Sequence, residues 1–290
     1  MIAKKSLGQH FLRCGWVSDT LIATAGLTKE DTVLEIGPGT GILTRPLAAA
    51  SRYVIAVEKD ERLAAETAET LKKENTTNVR IITGDILKLL PNLARYDKVI
   101  ANIPYYLTGR LIRLLLESPT KPSAIALTIQ KEVAERMVAK PPHMNPVRSK
   151  TPQASAAPTR SGRTSNGMNL LALGVQAFGT PKIIKIVPAS CFSPKPKIDS
   201  AIIVISDISD DFFIKNAIGQ DEFFALARAG FGKKRKTLAN SLASVAGDKE
   251  KSLALIRAAG LKDTSRPEEL AIDQWATLAK CKRSINLSRP

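Results

Sequence analysis

The feature that most constrains the fold of this chain is a set of four mostly apolar runs, each followed by glycine or a polar residue. They are Thr32–Ile36, Tyr53–Val57, Val79–Thr83 and Lys98–Ala101. Runs of this kind, alternating with segments of helical pattern, are typical of a parallel sheet covered by helices on both faces. In such sheets, ligands bind beyond the carboxyl ends of the strands. We therefore predict an α/β fold with a ligand site at the ends of these strands.

The first strand runs into the glycine-rich loop Gly37-Pro38-Gly39-Thr40-Gly41, which precedes a helical stretch from Ile42 to Ala50. A dinucleotide loop would read G-x-G-x-x-G, and its backbone amides would bind a pyrophosphate. Here Pro38 has no amide hydrogen to donate. A bound pyrophosphate would miss that donor, whereas a methionine group in its place would not. The loop therefore favours S-adenosylmethionine over NAD, with a purely structural strand-to-helix turn as the alternative.

Acidic residues follow the next two strands. Glu58 ends the second strand, 21 residues after Gly37, at about the spacing where an acidic side chain meets ribose hydroxyls. Asp85 follows the third strand, and its carboxylate is placed to accept a hydrogen bond from an adenine amine. Both residues are predicted to contact a nucleoside cofactor.

The fourth strand ends in Asn102-Ile103-Pro104-Tyr105, a pattern that indicates methylation of an amino group. The exocyclic amine of a nucleobase is a poor nucleophile because its lone pair is delocalised into the ring. The Asn102 side chain and the Ile103 carbonyl could accept its hydrogens and restore the lone pair, while Pro104 fixes the carbonyl direction. Tyr105 would supply a stacking face. A strand-to-turn transition with a proline stop is the simpler alternative.

The charge of the chain favours a polyanionic partner. Lys and Arg outnumber Asp and Glu by 43 to 27, which gives a formal net charge of +16. Such a charge favours binding to a phosphate backbone, although a basic surface can also serve solubility alone. The segment 139–205 carries nine basic residues and one acidic residue. The excess charge is therefore concentrated just after the predicted catalytic strand.

The cysteines and histidines point to no further chemistry. Cys14, Cys191 and Cys281 are odd in number and widely spaced, so we expect reduced thiols without a disulfide framework or zinc site. His10 and His143 are too few and too far apart for a metal centre. No apolar run reaches membrane-spanning length and the start lacks a signal-peptide core, so we expect a cytoplasmic protein without a membrane partner.

Taken together, these motifs resemble those of the KsgA-like ribosomal RNA adenine dimethyltransferase family. The resemblance covers most of the chain. Besides the four strand-end motifs, it includes an N-terminal segment, a late loop and a basic stretch, namely Lys5–Leu12, Phe192–Ser200 and Phe231–Leu238. It implies a Rossmann-like S-adenosylmethionine-dependent methyltransferase sheet with helices on both faces, followed by a small all-α C-terminal domain.

The resemblance also assigns site residues. The cofactor would lie among His10, Leu12, Gly37, Gly39, Glu58, Asp85 and Asn102. The target adenine would lie among Asn102, Ile103, Pro104, Tyr105 and Phe192, and the basic residues Lys233, Lys234, Arg235 and Lys236 would contact RNA. Position 10 is often Asn in the family, where contact is thought to use the backbone. No metal is implied.

Domain boundaries follow from composition and pattern. Residues 1–205 are predicted to form the catalytic domain, closed by an antiparallel hairpin of late strands at Lys182–Val187 and Ala201–Ile205. Residues 206–290 are predicted to form a C-terminal helical RNA-binding domain, which begins with the linker Ser206–Asp211 and includes a helix around Leu238–Ala246. The family pattern is interrupted at 142–169, which is rich in Pro, Ser, Thr, Arg and Ala. Such a composition cannot bury enough surface to offset its ordering entropy, so we predict a disordered insertion. It could contact RNA or have no specific role.

The resemblance implies N6,N6-dimethylation of adenines in RNA of the small ribosomal subunit or its precursor, linked to ribosome maturation, by a monomeric enzyme. Two alternatives remain. One is a large-subunit RNA adenine methyltransferase of the macrolide-resistance type, which shares the Asn102–Tyr105 pattern. The other is a non-catalytic, RNA-binding ribosome-assembly factor that kept the fold.

Overall fold

A computed structural model of the chain describes residues 9–144, 167–233 and 236–287. Contacts divide these residues into two compact units. The first contains the described residues up to Glu135 together with Phe178–Ser209. The second contains those from Arg136 to Ala177 and those from Asp210 onwards. The predicted domain boundary after residue 205 stays a prediction. The contact division falls slightly later and places the described residues 136–144 and 167–177 with the C-terminal residues.

The first unit consists of short strands and helices that alternate along the chain. They are β1 (Phe11–Leu12), α1 (Gly15–Ala25), β2 (Thr32–Ile36), α2 (Thr44–Ala50), β3 (Tyr53–Glu58), α3 (Glu61–Lys73), β4 (Val79–Thr83), α4 (Ile86–Leu89), β5 (Lys98–Asn102), α5 (Thr108–Glu117), β6 (Ala124–Gln130), α6 (Lys131–Met137), β7 (Thr180–Val187), β8 (Phe192–Ser193) and β9 (Ser200–Ser206). Helix α6 ends in the second unit.

Seven of these strands form one sheet in the order β4-β3-β2-β5-β6-β9-β7. Strands β4, β3, β2, β5 and β6 are parallel, and β9 pairs antiparallel with both β6 and β7. The predicted late strands therefore do form an antiparallel hairpin at one edge. Every residue of β2 is buried, as expected for a central strand covered on both faces. The structure confirms the predicted α/β fold class.

Because β3, β2 and β5 are parallel neighbours, their carboxyl ends lie along one edge of the sheet. Strand β4 pairs in parallel with β3, which brings the turn before Asp85 to the same edge. A separate two-residue ladder pairs β1 with β8, Leu12 opposite Phe192. The N-terminal segment is thereby joined to the loop that carries Phe192.

The second unit is helical. It contains α7 (Leu170–Gln176), α8 (Asp211–Asn216), α9 (Gln220–Phe231), α10 (Leu238–Ala246), α11 (Lys249–Ala258) and α12 (Ile272–Leu287). Phe223 and Trp275 are fully buried, and the Trp275 ring stacks on Phe231 with centroids 5.4 Å apart. Helix α7 packs against α9, and the Met168 amide donates to the Glu268 carbonyl. These contacts explain why the segment before Phe178 groups with the C-terminal helices.

Most of the predicted disordered insertion lies outside the described residues. Its two described ends lie in or next to regular structure. Pro142–Met144 form a short 3-10 turn, and Asn169 caps α7 by accepting hydrogen bonds from the Leu171 and Ala172 amides. The predicted linker 206–211 spans the last residue of β9, the loop that follows and the first residue of α8.

Candidate active site

A cavity opens at the carboxyl edge of the sheet. Its walls include every residue predicted for the cofactor and for the target base: His10, Leu12, Gly37, Gly39, Glu58, Asp85, Asn102, Ile103, Pro104, Tyr105 and Phe192. The structure thus brings both predicted sets together in one place. Of the predicted RNA-contacting residues, Lys233 and Lys236 are exposed near the end of α9, in the second unit, and Lys234 and Arg235 lie outside the described residues.

The glycine-rich loop needs its glycines for conformation and for space. Gly37, Gly39 and Gly41 have φ values of 70°, 56° and 76°, in the left-handed region that side chains disfavour. A Cβ atom at Gly39 would lie 3.2 Å from the Phe11 ring of β1. The loop is therefore held close under the N-terminal segment, and its backbone borders the cavity.

Glu58 is anchored at the end of β3. One of its carboxylate oxygens accepts the Gly39 amide hydrogen at 3.1 Å, and the other accepts the Asp60 amide at 2.9 Å. Only 6% of Glu58 is exposed. These bonds fix the carboxylate against the glycine loop, where its remaining lone pairs can accept hydroxyl hydrogens. The predicted contact with a ribose stays a prediction.

Asp85 stands at the end of the turn after β4. It caps α4 by accepting the Leu87 amide at 3.0 Å, and it forms an ion pair with Lys59 at 2.9 Å. The hydrogen bond from Lys59 is the main cause that lowers the pKa of Asp85 below its usual value. The carboxylate is thus ionised and acts only as an acceptor, as a contact with an adenine amine requires.

Glu35 lines the same cavity and was not among the predicted site residues. It is 1% exposed, and within the described part of the chain neither of its oxygens has a hydrogen-bond partner. Burial raises its pKa to about 8, which the nearby Thr44 hydroxyl opposes in part and the charge of Glu58 reinforces. The signal was present, because Glu35 lies two residues before Gly37 on a fully buried strand.

Asn102, at the end of β5, is oriented by the N-terminal segment. Its amide nitrogen donates to the His10 carbonyl at 3.3 Å. With the nitrogen engaged in this way, the side-chain oxygen is the atom left to accept a hydrogen from a substrate amine. Ile103 is 2% exposed, so its side chain packs in the core. Its backbone is the part that can contact a ligand in the cavity.

Aromatic groups form the neighbouring wall. Tyr105 is fixed by a 2.8 Å hydrogen bond between its hydroxyl and the Ser200 hydroxyl, and burial raises the pKa of Tyr105. The His10 ring lies on the Tyr105 ring with centroids 5.6 Å apart. Phe192 is 4% exposed and is part of the core as well as the cavity wall. Tyr106, 57% exposed, also lines the cavity and was not predicted.

The expectation of three reduced thiols is wrong for two of them. Cys14 and Cys191 form a disulfide across a sequence separation of 177 residues, while Cys281 is free. Pairing of β1 with β8 brings the two residues together, and no local sequence pattern indicates such a long-range contact. Across the described ranges, no group of three acidic, His or Cys side chains is placed to hold a metal ion. No helix in those ranges is long and apolar enough to span a membrane.

The sheet order, the glycine loop and the acidic strand ends define a Rossmann-like methyltransferase. The sequence matches the family described as ribosomal RNA adenine dimethylase over residues 2–148 and 152–284, and the chain belongs to this family. The resemblance found in its motifs is therefore confirmed.

Curated relatives and solved structures agree with this assignment. The chain is 38% identical to "Ribosomal RNA small subunit methyltransferase A" of Dehalococcoides mccartyi over 283 residues, covering 95% of this chain and 87% of the relative. It is 35% identical to the protein of the same name from Nostoc punctiforme, with 95% and 93% covered. A dimethyladenosine transferase from Plasmodium falciparum has a TM-score of 0.73 at 26% identity, covering 93% of this chain and 96% of that one. The 23S rRNA methyltransferase ErmE has the same fold, with a TM-score of 0.66 at 23% identity and 94% and 99% covered.

Proposed function

We propose that the chain transfers methyl groups from S-adenosylmethionine to N6 of adenines in small-subunit ribosomal RNA, twice on each target base. One observation carries the proposal. The Asn102 amide, oriented by the His10 carbonyl, lies in the same cavity as the glycine loop, Glu58 and Asp85.

The residues present fit S-adenosylmethionine. The space beside Gly37 is open, with no atom within 4 Å of its Cβ position, and Glu58 and Asp85 offer acceptors for hydroxyl and amine hydrogens. The unpartnered Glu35 carboxyl adds negative potential behind the loop when it is ionised, which suits a cationic ligand. The bound cofactor would supply an electrophilic methyl group carried on a sulfonium.

On the substrate side, Asn102 and the Ile103 carbonyl would accept the two hydrogens of the adenine amine and turn its lone pair out of the ring plane. Extruding the base costs a few kcal/mol, and stacking returns about 1–3 kcal/mol per aromatic contact. Stacking on Tyr105 and Phe192 therefore holds the base without explaining the rate. Alignment of the amine with the methyl group supplies more, up to about 7–11 kcal/mol.

No strong general base is required at position 102. The proton of the amine becomes acidic only after the new carbon–nitrogen bond has begun to form. An amide, which accepts hydrogen bonds without carrying charge, suits this role better than a carboxylate would.

Contact with RNA beyond the target base is proposed for the exposed Lys233 and Lys236, with Lys234 and Arg235, in a C-terminal domain spanning 206–290. The printed names of the relatives support the small subunit as substrate. We further propose that the protein acts as a monomer in the cytoplasm during ribosome maturation.

A methyl-transfer assay tests the proposal. Undermethylated small ribosomal subunits and large-subunit RNA are each incubated with methyl-labelled S-adenosylmethionine, and the modified nucleosides are identified by mass. We expect N6,N6-dimethyladenosine in the small-subunit RNA. Label in the large-subunit RNA alone would indicate the macrolide-resistance type of activity. Binding of small subunits without incorporation of label would indicate a non-catalytic assembly factor.

A further inference from the structure

The Cys14–Cys191 disulfide belongs to a set of contacts between two segments, 10–14 and 191–194, which we call the latch. Phe11 and Leu12 pair antiparallel with Ser193 and Phe192. The Arg13 amide donates to the Cys191 carbonyl at 2.8 Å. The Cα atoms of Cys14 and Cys191 are 5.2 Å apart, within the normal range for a disulfide. The latch is thus closed by a short backbone ladder and one covalent bond.

The latch covers the target-base side of the cavity. The His10 ring lies on the Tyr105 ring at an interplanar angle of 28°, and His10 Nδ1 is 2.7 Å from the Pro194 carbonyl oxygen. The His10 carbonyl also holds the Asn102 amide. A purine that stacks on the face of Tyr105 covered by His10 must therefore displace the His10 ring.

We propose that Cys14 and Cys191 are a redox site that controls entry of the target adenine. The disulfide keeps the latch closed over Tyr105. The dithiol form lets segment 10–14 open while the adenine enters and then close again, which returns the His10 carbonyl to Asn102. The proposal rests on the proposed function for the identity of the substrate. Without the covalent bond, the segments are still joined by the two-residue ladder, by the Arg13 amide and by the burial of Leu12 and Phe192. These contacts can break and form again, so the dithiol form opens more readily than the disulfide form.

The surroundings of the pair suit reversible oxidation. In a reducing compartment, structural disulfides are rare, and those that form are usually transient and redox-sensing. Cys14 is partly exposed, whereas Cys191 is 5% exposed. Cys14 is therefore the residue that a small oxidant reaches first, and Cys191 is the resolving partner.

The oxidant is a small-molecule disulfide of the glutathione class. The Cys14 thiolate attacks one of its sulfur atoms, forming a mixed disulfide and releasing one glutathione thiolate. The Cys191 thiolate then displaces the second glutathione and forms the Cys14–Cys191 bond. Two protein thiols are oxidised, the small disulfide is reduced to two thiols, and the protons of the protein thiols pass to the leaving thiolates.

The test compares the full chain after treatment with dithiothreitol and after treatment with oxidised glutathione, with the cross-linked peptide identified by mass. Methyl-transfer kinetics at varied RNA concentration are measured alongside the affinity for S-adenosylmethionine. We expect oxidation to lower kcat/KM for RNA about tenfold, because the binding-competent population falls by that factor. Affinity for the cofactor should not fall on oxidation, because the closed latch keeps His10 and Leu12 in the cavity wall.

Three serine variants serve as controls. Cys14→Ser and Cys191→Ser should show the activity of reduced wild type under both treatments. Cys281→Ser, which leaves the pair intact, should respond to oxidation as wild type does. An equal kcat/KM in both states despite a verified cross-link overturns the proposal, as does a failure of oxidised glutathione to form the cross-link.

Hydrogen–deuterium exchange of the peptide that contains Arg13 separates this proposal from the methyltransferase assignment. Its amides should exchange faster in the reduced protein than in the oxidised one, whether or not methyl transfer is observed. Equal exchange rates would refute the latch. Absence of methylation in both states, with different exchange rates, would refute the proposed function and retain the latch.

Discussion

Glu35 is a buried acid that borders the cavity without a partner for either oxygen in the described structure. Such a group is costly to ionise in the folded protein, so its proton is retained to higher pH than in the unfolded chain. Stability and ligand binding therefore favour opposite protonation states. Protonation of Glu35 stabilises the empty fold, and a cationic ligand favours the carboxylate.

Glu35→Gln tests the cost of this group. The pKa of Glu35 is raised from 4.5 to about 8, so between these values the folded chain holds a proton that the unfolded chain has lost. The contribution of Glu35 to the stability of the wild type must then fall as pH rises through this range. We expect the melting temperature of the variant minus that of wild type, measured by calorimetry, to become more positive from acidic to alkaline pH.

The control for this comparison is Glu30→Gln, at an exposed position, for which the difference should not vary with pH in this way. A constant difference between Glu35→Gln and wild type across the whole range would contradict the assignment.

The positions of the strand-end residues could be predicted because each residue follows a mostly apolar run. Glu58, Asp85 and Asn102 could be placed at one sheet edge on that basis alone. The hydrogen bond from Asn102 to the His10 carbonyl and the Cys14–Cys191 bond could not. Both join residues far apart in sequence, and the segment that carries His10 and Cys14 has only two residues in a strand.

The predicted first and last residues of strands and helices were most accurate where the apolar pattern alone determines them. Strands β2 and β4 and helix α10 have the bounds that their apolar patterns indicated. Helix α8 begins at the last residue of the predicted linker, and its six residues are too few for a periodic pattern to stand out. The two-residue strands β1 and β8 were missed because their pairing is tertiary rather than local.

Gly230→Ala tests the packing of α9 against α12. A Cβ at position 230 would lie 2.4 Å from Trp275 Cη2, and the Trp275 ring is fully buried and has no room to move. Overpacking of this kind costs about 1–3 kcal/mol. We expect the free energy of unfolding of the second unit to fall by that amount, measured by chemical denaturation.

Gly174→Ala is the matched control, since Gly174 lies in α7 and its Cβ would meet its nearest neighbour at 4.0 Å. Ala is favoured over Gly inside a helix by about 0.5–1 kcal/mol, so this variant should be neutral or stabilised. Equal stability of the two variants would argue against close packing at Gly230.

For the whole molecule, a net charge of +16 implies that RNA binding depends steeply on salt. Lys233 and Lys236 are exposed and stand in the stretch proposed to contact the RNA backbone. Removing both by Lys233→Ala and Lys236→Ala should reduce the slope of log K against log salt by about 1 to 2, as each phosphate contact contributes about 0.7–0.9. Filter binding of small-subunit RNA at several salt concentrations measures this slope.

Lys72→Ala, an exposed lysine on α3, is the control and should leave the slope nearly unchanged. A double variant with the wild-type slope would remove Lys233 and Lys236 from the RNA interface.

The central claim is that a methyl-donor pocket and an amide-lined slot for an extruded adenine share one cavity. The most direct measurement compares methyl transfer and cofactor affinity in Asn102→Ala with wild type, using the exposed Asn92→Ala as control. We predict that kcat of Asn102→Ala falls at least about a hundredfold, because loss of one preorganised polar group at a reacting centre typically costs that much. The affinity for the cofactor should be largely unchanged. Turnover near that of wild type in Asn102→Ala would contradict the claim.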